Sequence, residues 1–366
     1  MYRKALVAMS GGVDSSVAAF LMKDAGWDCI GATMKLFDDG EEGFSGGGRP
    51  KSCCSLSDVN DARDVAYRLG IPHYVLNLRE DFRKNVVERF IRVYEEGGTP
   101  NPCIDCNRFI KFNSLLFRAR SLEYDCLVTG HYARIEKSGE RFLLKKSADE
   151  RKDQSYVLYA MTQEQLKSAA FPLGELQKEE VRLIALEQGF INAAKRDSQD
   201  ICFVPDGDYG AFMENYSGKA YPAGTIMDRA GNVLGRHRGF VRYTIGQRRG
   251  LGVSSKAPLY VSAKSKEDNT ITLGPETELY SKTLTVGNIN LIAYGSLERP
   301  MRASVKTRYL QREQAATVEQ TAEDTIRVEF DEPQRAVTPG QAAVLYDGGY
   351  VLGGGTIRDA GATGCL

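Results

Sequence analysis

The sequence has no net charge and no long hydrophobic run. Its 366 residues include 48 Lys and Arg against 48 Asp and Glu. No run of about five like charges occurs, so neither a uniformly basic nucleic-acid surface nor a charged tail is expected. No window of about 18 apolar residues is present, so no membrane-spanning helix is expected. A nucleic-acid partner would have to be held by local clusters of basic residues.

Cysteine and histidine are also scarce. Eight cysteines in 366 residues is far below the density of a secreted disulfide scaffold, and three histidines leave little room for histidine-based metal sites. The N-terminal apolar run is short and enters a glycine loop without a signal-peptide cleavage site. The expected location is the cytoplasm, where clustered cysteines more often serve metal, cluster or redox chemistry.

The first 200 residues alternate between apolar strand patterns and amphipathic helix patterns. The predicted strands are residues 4–9, 28–36, 73–78 and 125–130, and the predicted helices are residues 13–23, 57–69 and 81–94. This alternation predicts the α/β class, with a doubly wound parallel sheet and helices on both faces.

After about residue 200 helical periodicity stops and short strand-like runs follow one another. These runs are residues 259–263, 270–273, 283–288, 301–307, 325–330 and 342–346. Such spacing predicts one or two small β-barrels. The predicted domains are a catalytic domain over residues 1–200, a small β-rich central domain over 201–278 and a C-terminal β-barrel domain over 279–366.

Residues 10–16, Ser-Gly-Gly-Val-Asp-Ser-Ser, connect the first predicted strand to the first predicted helix. Glycines let the backbone approach a ligand closely, and amides at a helix N-terminus bind anions. An ordinary strand-to-helix turn with serine caps is the alternative. The two better-known phosphate motifs do not fit, because the loop has neither the Lys of a Walker A motif nor the G-x-G-x-x-G spacing.

Three cysteines stand in unusual surroundings. Cys103 and Cys106 form a C-x-x-C on a proline-stiffened loop, and Cys202 follows Asp-Ser-Gln-Asp-Ile at residues 197–201. Half a zinc site is the alternative for the C-x-x-C, but a second pair of ligands is missing. The adjacent Cys53 and Cys54 are awkward as ligands of one metal, and Cys365 has no assignable role.

The loop at residues 10–16 resembles the PP-loop of ATP pyrophosphatases, which holds the β- and γ-phosphates of ATP while AMP is transferred. With the cysteine segments, the whole chain resembles the MnmA (TrmU) family of tRNA-specific 2-thiouridylases. The other matching positions are Met34 and residues 100–112, 129–133, 152–155, 197–203, 243–248, 308 and 309. The family has an N-terminal PP-loop domain, a small central domain and a C-terminal β-barrel.

The resemblance implies an enzyme that thiolates the wobble uridine of tRNA at C2. Adenylation with ATP and Mg²⁺ would turn the C2 oxygen into a leaving group and release pyrophosphate, and sulfur would then displace AMP. Cys202 would carry the sulfur as a persulfide and Cys106 would be its partner, which leaves an enzyme disulfide to be reduced. The implied partners are tRNA and an upstream persulfide donor, either a cysteine desulfurase or a relay protein.

The resemblance also implies two sets of binding residues. The nucleotide-binding set is Ala8, Met9, Ser10, Gly11, Gly12, Val13, Asp14, Ser15, Met34 and Gly130. The tRNA-binding set is Asn101, Pro102, Cys103, His131, Lys152, Asp153, Gln154, Arg308, Tyr309 and Gln341.

One departure from the family keeps alternatives open. Many members carry an acid where this chain has Cys103, so that role passes to Asp105 or lies elsewhere. Cys103, Cys106 and Cys202 could instead hold a [4Fe-4S] cluster whose open corner carries sulfide. Two further alternatives are a PP-loop amide-forming synthetase for a small molecule and a non-catalytic RNA-binding or iron–sulfur module.

Two basic stretches are candidates for RNA contact. Residues 236–249 hold five arginines and no acid, and residues 299–312 hold four arginines and one lysine, also without an acid. Acids then crowd into residues 313–332. Such segregation is expected of a neutral chain with a polyanionic partner, although a solvated strand face is the alternative. His237, among the arginines of the first stretch, is expected to lie near a phosphate or in solvent.

Overall fold

The computed structural model describes residues 3–37, 56–196, 201–204 and 206–361. Cys53, Cys54 and Cys365 lie outside these residues. The chain divides into two compact units. The first unit comprises residues 1–87, 102–207 and 349–351, and the second comprises residues 88–101, 208–348 and 352–366.

A five-stranded parallel sheet forms the centre of the first unit. Its strands are β1 (Lys4–Ala8), β2 (Asp28–Lys35), β3 (His73–Asn77), β4 (Cys126–Val128) and β7 (Ala169–Ala170), in the order β3-β2-β1-β4-β7. Each neighbouring pair is parallel. The chain winds outward from β1 to β3 and then returns to the other side of β1, so the strand order reverses between β1 and β4. Open α/β sheets bind ligands at such a switch point.

The predicted parallel sheet is confirmed, and its hydrophobic sequences explain it. All three central residues of β1, Ala5, Leu6 and Val7, are fully buried, as expected for a strand covered on both faces. Val17 of the first helix and Val128 of β4 belong to the same core as Val7. Burying one such side chain contributes roughly 1.5–3 kcal/mol, so this core fixes the strand ends that carry the loop at residues 10–16.

The helices of the first unit include two unusual segments. The α-helices are Val13–Asp24, Leu56–Leu69, Arg79–Phe82, Pro102–Asp105, Leu116–Ser121, Ser155–Leu158, Gln163–Lys167 and Lys178–Glu187. Arg83–Val87 and Cys106–Leu115 are π-helical, a geometry that is rare and is often found at functional sites. A hairpin of β5 (Ala133–Ser138) and β6 (Arg141–Lys146) completes the unit.

The second unit contains a small sheet and a closed barrel. The small sheet is β10-β11-β8-β9, formed by β8 (Gly224–Asp228), β9 (Val233–His237), β10 (Tyr260–Ser265) and β11 (Thr270–Gly274). The barrel strands are β12 (Tyr280–Leu291), β13 (Met301–Lys306), β14 (Gln314–Ala322), β15 (Thr325–Arg335), β16 (Ala342–Asp347) and β17 (Tyr350–Ala360). Their order is β12-β15-β14-β13-β16-β17, and pairing of β12 with β17 closes the barrel.

The expectation that helical structure stops after about residue 200 is wrong. Tyr209–Ser217 is a helix, capped by Asp208, whose side chain accepts from the Ala211 amide, and followed by Gly218 with φ of +65°. Another α-helix of this unit, Glu88–Glu95, overlaps the helix predicted over residues 81–94 and ends one residue beyond it. Nine residues between a cap and a glycine show too few turns for periodicity to stand out. No helix in the described part of the chain is long and apolar enough to cross a membrane.

Candidate nucleotide and sulfur-transfer site

The glycine-rich loop leaves the carboxyl end of β1 and turns tightly against a neighbouring helix. Gly11 has φ of +73°, and a Cβ atom there would lie 2.2 Å from the carbonyl oxygen of Asp58. Asp58 belongs to the first turn of the helix Leu56–Leu69. Both the backbone conformation and the lack of space therefore require glycine at position 11.

The helix that follows the loop starts without a side-chain cap. Its N-cap residue is Gly12, and the serines bond within the loop instead. Ser15 Oγ accepts from the Ser10 amide at 3.1 Å and donates to the Gly12 carbonyl at 3.0 Å, as does Ser16 Oγ at 3.0 Å. The serine caps of the alternative interpretation are therefore wrong. Amides at such a helix start are available to an anion.

A second group of contacts fixes Asp14 in the first turn of that helix. Lys178 Nζ donates to Asp14 Oδ1 at 2.6 Å, and the Tyr132 hydroxyl donates to the same oxygen at 2.9 Å. Lys178 is only 5% exposed, so water screens this ion pair weakly. A Cβ atom on Gly130 would lie 2.7 Å from the backbone of Asp14 and of Ser15. The residues after β4 therefore border the loop.

The remaining predicted nucleotide contacts lie at the ends of β1 and β2. Ala8 is the last residue of β1, buried Met9 follows it, and Met34 is half-buried near the end of β2. Thr33 Oγ1 donates to the Met9 carbonyl at 2.7 Å, which joins the two strand ends. All the predicted nucleotide-binding residues thus reach one edge of one sheet, and their individual contacts with ATP stay predictions.

Two side chains that donate hydrogen bonds to the glycine-rich loop were not predicted from the sequence. Asn192 Nδ2 donates to the Gly11 carbonyl at 3.0 Å, while buried Asn192 Oδ1 has no hydrogen-bond partner among the described residues. Lys195 Nζ donates to the same carbonyl at 3.2 Å and to the carboxylates of Asp58 and Asp61 at 2.5 and 2.6 Å. Burial lowers the pKa of Lys195, but the hydrogen bonds to Asp58 and Asp61 outweigh it and raise the pKa above its usual value.

The three predicted sulfur-chemistry cysteines all belong to the first unit. Cys103 is exposed within the helix Pro102–Asp105, Cys106 is half-buried at the start of the π-helix Cys106–Leu115, and Cys202 is half-buried. Among the described residues, no group of three or more His, Cys, Asp or Glu side chains is placed to hold a metal ion. This observation concerns ligands of a single ion, and the [4Fe-4S] alternative for Cys103, Cys106 and Cys202 stays a hypothesis.

His131 is buried and bonded through both ring nitrogens. It is 7% exposed, with Nδ1 at 2.7 Å from Thr129 Oγ1 and Nε2 at 3.4 Å from Lys111 Nζ. Phe112 and Phe171 lie within ring contact. Burial, together with the charge of Lys111, holds the pKa of His131 well below its usual value. The ring is therefore neutral at pH 7, and its predicted contact with tRNA stays a prediction.

His237 is buried, contrary to the expectation of a phosphate or solvent neighbour. Its side chain has no exposed surface. The Gly239 amide donates to Nδ1 at 3.2 Å, so Nε2 carries the proton and donates to the Asn269 carbonyl at 3.0 Å. Burial is the main cause that lowers its pKa. The strand pattern around His237 did not show that β9 turns this position inward.

We expect the free energy of unfolding to fall as the pH drops below about 6.5, where unfolded histidine titrates. Burial lowers the pKa of all three histidines, His73, His131 and His237, so the unfolded chain binds more protons in this range. Each histidine contributes a slope of up to about 1.4 kcal/mol per pH unit until its folded pKa is reached. Urea unfolding at about pH 7.5, 6.5 and 5.5 measures the slope, and His131→Gln should reduce it. Constant stability over this range would contradict the prediction.

Asn101 and Gln341 are two of the four predicted tRNA contacts that belong to the second unit. Gln341 Nε2 donates to the carbonyls of Thr99 and Pro100 at 2.9 and 3.2 Å. The Thr99 amide in turn donates to the Pro339 carbonyl at 2.8 Å. The amide group of Gln341 therefore holds the segment that leads into Asn101, and direct RNA contact by either residue stays a prediction.

The predicted tRNA contacts Lys152, Asp153 and Gln154 form a turn in the first unit. Asp153 Oδ1 accepts from the Ser147 amide at 3.0 Å, and Gln154 Oε1 accepts from the Tyr132 amide at 3.0 Å. Both side chains thus have structural bonds, and Lys152 is half-buried. The predicted tRNA-binding residues of the first unit also include Cys103, His131 and Pro102. Pro102 is buried.

Arg308 and Tyr309 lie in the turn between β13 and β14. Arg308 donates to the Ala336 carbonyl at 2.7 Å and to Thr338 Oγ1 at 3.2 Å, so its guanidinium is partly committed to the barrel. The side chain of Tyr309 is exposed, which leaves ring surface for stacking on an RNA base. Their contact with tRNA stays a prediction.

The two basic stretches carry less available charge than their composition suggests. Arg242 forms ion pairs with Asp208 and Glu214 at 2.8 and 2.7 Å, and Arg302 pairs with Asp331 at 2.5 Å. Asp208 and Glu214 therefore partly neutralise the first basic stretch, and Asp331, one of the acids of residues 313–332, partly neutralises the second. The other arginines of residues 236–249, namely Arg236, Arg238, Arg248 and Arg249, are exposed.

Three family models match successive parts of the chain. The tRNA methyl transferase HUP domain matches residues 3–206, the tRNA methyl transferase PRC-barrel domain residues 210–275, and the aminomethyltransferase β-barrel domain residues 281–357. A tRNA-specific 2-thiouridylase MnmA from Acetivibrio thermocellus is 50% identical over 97% of this chain and 99% of its own. The corresponding protein of Clostridioides difficile is 49% identical over 98% and 99%.

Likeness to solved structures is weaker. An NMN synthetase from Francisella tularensis aligns with a TM-score of 0.34 and 16% identity, over 60% of this chain and 79% of that one. This likeness is too low to bear on function.

A parallel sheet with a glycine-rich anion loop at its switch point, followed by a PRC-barrel domain and a closed antiparallel barrel, defines a nucleotide-binding α/β protein of the PP-loop type. Identity of about half the residues over nearly the full length settles the family within this class. The chain belongs to the tRNA-specific 2-thiouridylase MnmA family.

Proposed function

We propose that this protein is an ATP-dependent tRNA-uridine 2-sulfurtransferase acting on the wobble uridine. The observation that carries the proposal is the loop at residues 10–16, bordered by Gly130 at the switch point of the sheet. It occurs in a chain whose relatives, matched over nearly their full length, are named 2-thiouridylases. An anion loop at this place suits adenylation, the step that makes the poor leaving group at C2 displaceable.

In the adenylation step, the uracil C2 oxygen attacks the α-phosphorus of ATP and pyrophosphate leaves. The helix-start amides after Gly12 would hold the phosphates, while Asp14 is fixed by Lys178 and Tyr132. Mg²⁺ usually binds through substrate phosphates and one or two carboxylates, so we expect it to arrive with ATP. Met34 and Gly130 would border the nucleotide.

In the sulfur step, the terminal sulfur of a Cys202 persulfide attacks C2, and AMP departs with the former uracil oxygen and the bonding electron pair. The Cys106 thiolate then attacks the Cys202 sulfur, which releases 2-thiouridine and leaves a Cys106–Cys202 disulfide for a reductant. This persulfide route needs no iron–sulfur cluster; the alternative, with the sulfur carried on a [4Fe-4S] cluster held by Cys103, Cys106 and Cys202, gives the same product. Buried Asp105 is the acid nearest in sequence to the position that is acidic in many relatives.

The partners follow from this chemistry. A persulfide-carrying protein must reload Cys202, and tRNA must present an unstacked uridine. Beyond Cys103 and His131, the residues proposed to contact tRNA are Asn101, Pro102, Lys152, Asp153, Gln154, Arg308, Tyr309 and Gln341. A reducing cytoplasm would supply the reductant.

The proposal also includes the domain boundaries: a catalytic domain ending at residue 200, a central domain ending at residue 278 and a C-terminal barrel domain after it.

Mass spectrometry of tRNA nucleosides tests the proposal. Purified protein incubated with unmodified tRNA, ATP and a persulfide source should yield 2-thiouridine at the wobble position, and omission of either ATP or sulfur should abolish it. Incubation with S-adenosylmethionine in place of both is the control for methyl transfer, the activity named in two of the matching domain descriptions. Methylated nucleosides without any thiolated product would overturn the proposal.

A further inference from the structure

A short chain of polar side chains leads from the Cys106 helix to the nucleotide loop. Lys111 Nζ lies 3.4 Å from His131 Nε2, and His131 Nδ1 lies 2.7 Å from Thr129 Oγ1. An ammonium group can only donate, so Nε2 accepts and Nδ1 carries the proton, which it donates to Thr129. Both nitrogens of the buried ring are therefore engaged, and the Lys111 ammonium gives only one of its three hydrogens to His131, so it can still donate to an anion.

The ammonium of Lys111 is well placed for an anion. Its side chain is half-buried, and in the part of the chain that the structure describes it forms no ion pair with an acid. A partly desolvated cation without a counter-ion favours binding of a negative group. His131, neutral because it is buried beside this charge, orients the ammonium without neutralising it.

The π-helix decides which way Lys111 points. Cys106–Leu115 is π-helical, and Ser114 Oγ bonds to the carbonyl of Phe109, five residues earlier. In an α-helix, Cys106 and Lys111 would point about 140° apart, since each residue turns by about 100°. In a π-helix the turn closes between residues five apart, so the two side chains point in more similar directions than they would in an α-helix. This geometry brings Lys111 toward the side of the helix that carries Cys106.

The other end of the polar chain meets the nucleotide loop. Gly130 lies between Thr129 and His131, and a Cβ atom on it would lie 2.7 Å from the backbone of Asp14 and Ser15. The same three-residue segment therefore borders the start of the phosphate-loop helix and holds Lys111. An anion that lies between the loop and Cys106 would meet this ammonium.

We propose that Lys111 is a further catalytic residue, whose ammonium binds the α-phosphate of the tRNA adenylate and stabilises AMP as it leaves, and that His131 is its positioning residue. The inference rests on the proposed function. When the persulfide sulfur bonds to C2, the C2–O bond breaks and its electron pair goes to AMP, so negative charge grows on the phosphate end. Lys111 stabilises this charge by hydrogen bonding and transfers no proton.

Replacing Lys111 tests the proposal. Lys111→Met should lower single-turnover thiolation by about 10- to 100-fold while the Kd for ATP stays within about threefold, because the loop still holds the β- and γ-phosphates. Lys111→Arg should recover at least about fivefold over the methionine variant, since it restores a cation. Lys167→Met, which removes an exposed lysine at the end of the helix Gln163–Lys167, is the matched control and should thiolate within about twofold of the wild type.

His131 variants separate positioning from direct RNA contact. His131→Phe should lower kcat by a larger factor than it raises the KM for tRNA. Adding it to Lys111→Met should cause little further loss of kcat. His131→Gln, which keeps an oxygen that can accept from Lys111, should retain more activity than His131→Phe. A raised KM for tRNA with normal kcat would show that His131 acts through contact with tRNA alone and would overturn the positioning role. Thermal unfolding of each variant reports whether it is folded.

The outcomes distinguish this inference from the proposed function. Wild-type protein that makes no 2-thiouridine contradicts the proposed function and this inference with it. Active wild-type protein together with Lys111→Met that thiolates within about twofold of it overturns the role of Lys111 alone. Loss of ATP binding in Lys111→Met would also overturn this role. The lower thiolation would then come from weaker ATP binding and not from poorer stabilisation of AMP as it leaves.

Discussion

Cys202→Ser is expected to lower 2-thiouridine formation more than about a thousandfold, as removal of a covalent nucleophile generally does. A serine oxygen cannot carry the persulfide whose terminal sulfur attacks C2. Adenylation uses other groups, so tRNA-dependent exchange of pyrophosphate into ATP should stay within about threefold of the wild type. Single-turnover thiolation followed by nucleoside mass spectrometry, alongside the exchange assay, measures both steps.

Cys126→Ala is the matched control for this experiment. Cys126 is buried in the core, and burial raises the pKa of its thiol to about 12, so it is inert as a nucleophile. Its replacement should leave thiolation within about twofold. Full thiolation by Cys202→Ser would make the persulfide assignment wrong. A different result would support the cluster mechanism: iron that copurifies with the wild type under anaerobic conditions and is lost, together with activity, in Cys202→Ser.

Gly11→Ala is expected to destabilise the protein by about 2–4 kcal/mol and to weaken ATP binding more than about tenfold. Two costs add at this position. The new methyl group must adopt φ of +73°, and it meets the Asp58 carbonyl oxygen at 2.2 Å, so the loop has to move away from the helix behind it. Urea unfolding and nucleotide titration measure the two effects.

Gly26→Ala separates these two costs. Gly26 has nearly the same conformation, with φ of +80°, but a Cβ atom there meets nothing within 4 Å. This control should therefore show the backbone cost alone, about 1–2 kcal/mol, with ATP binding unchanged. Equal losses in Gly11→Ala and Gly26→Ala would show that the close approach to Asp58 does not matter.

The sequence alone predicted the secondary structure correctly where the local residue pattern agrees with the burial found in the fold. The apolar run that forms β1, the helix after it and the glycine loop between them are all visible locally, because a strand buried on both faces is continuously hydrophobic. The helix Tyr209–Ser217 was missed because its nine residues present too little periodicity. The hairpin β5–β6 was missed because half-buried strands with charged residues resemble loop.

The site was predictable only where a contiguous motif carries it. Residues 10–16 can be recognised from their glycine- and serine-rich sequence. The contact of Lys195 with Asp58, by contrast, joins residues 137 positions apart and exists only after folding. The same limit applies to His131, whose neighbours Lys111 and Thr129 decide its protonation. The π-helical turn after Cys106 left no sign in the residue pattern, so the orientation of Lys111 was also hidden.

The division of the chain has a consequence for evolution and for protein engineering. The helix Glu88–Glu95 belongs to the second unit, where Phe90 packs against Tyr209 and Phe212 at ring distances of 6.0 and 6.2 Å. A fragment ending near residue 207 would expose this aromatic face, although the helix is encoded in the middle of the catalytic segment. The second unit therefore cannot be removed by truncating the chain at a single point. A deletion, fusion or exchange of this unit between relatives must include residues 88–101 as well.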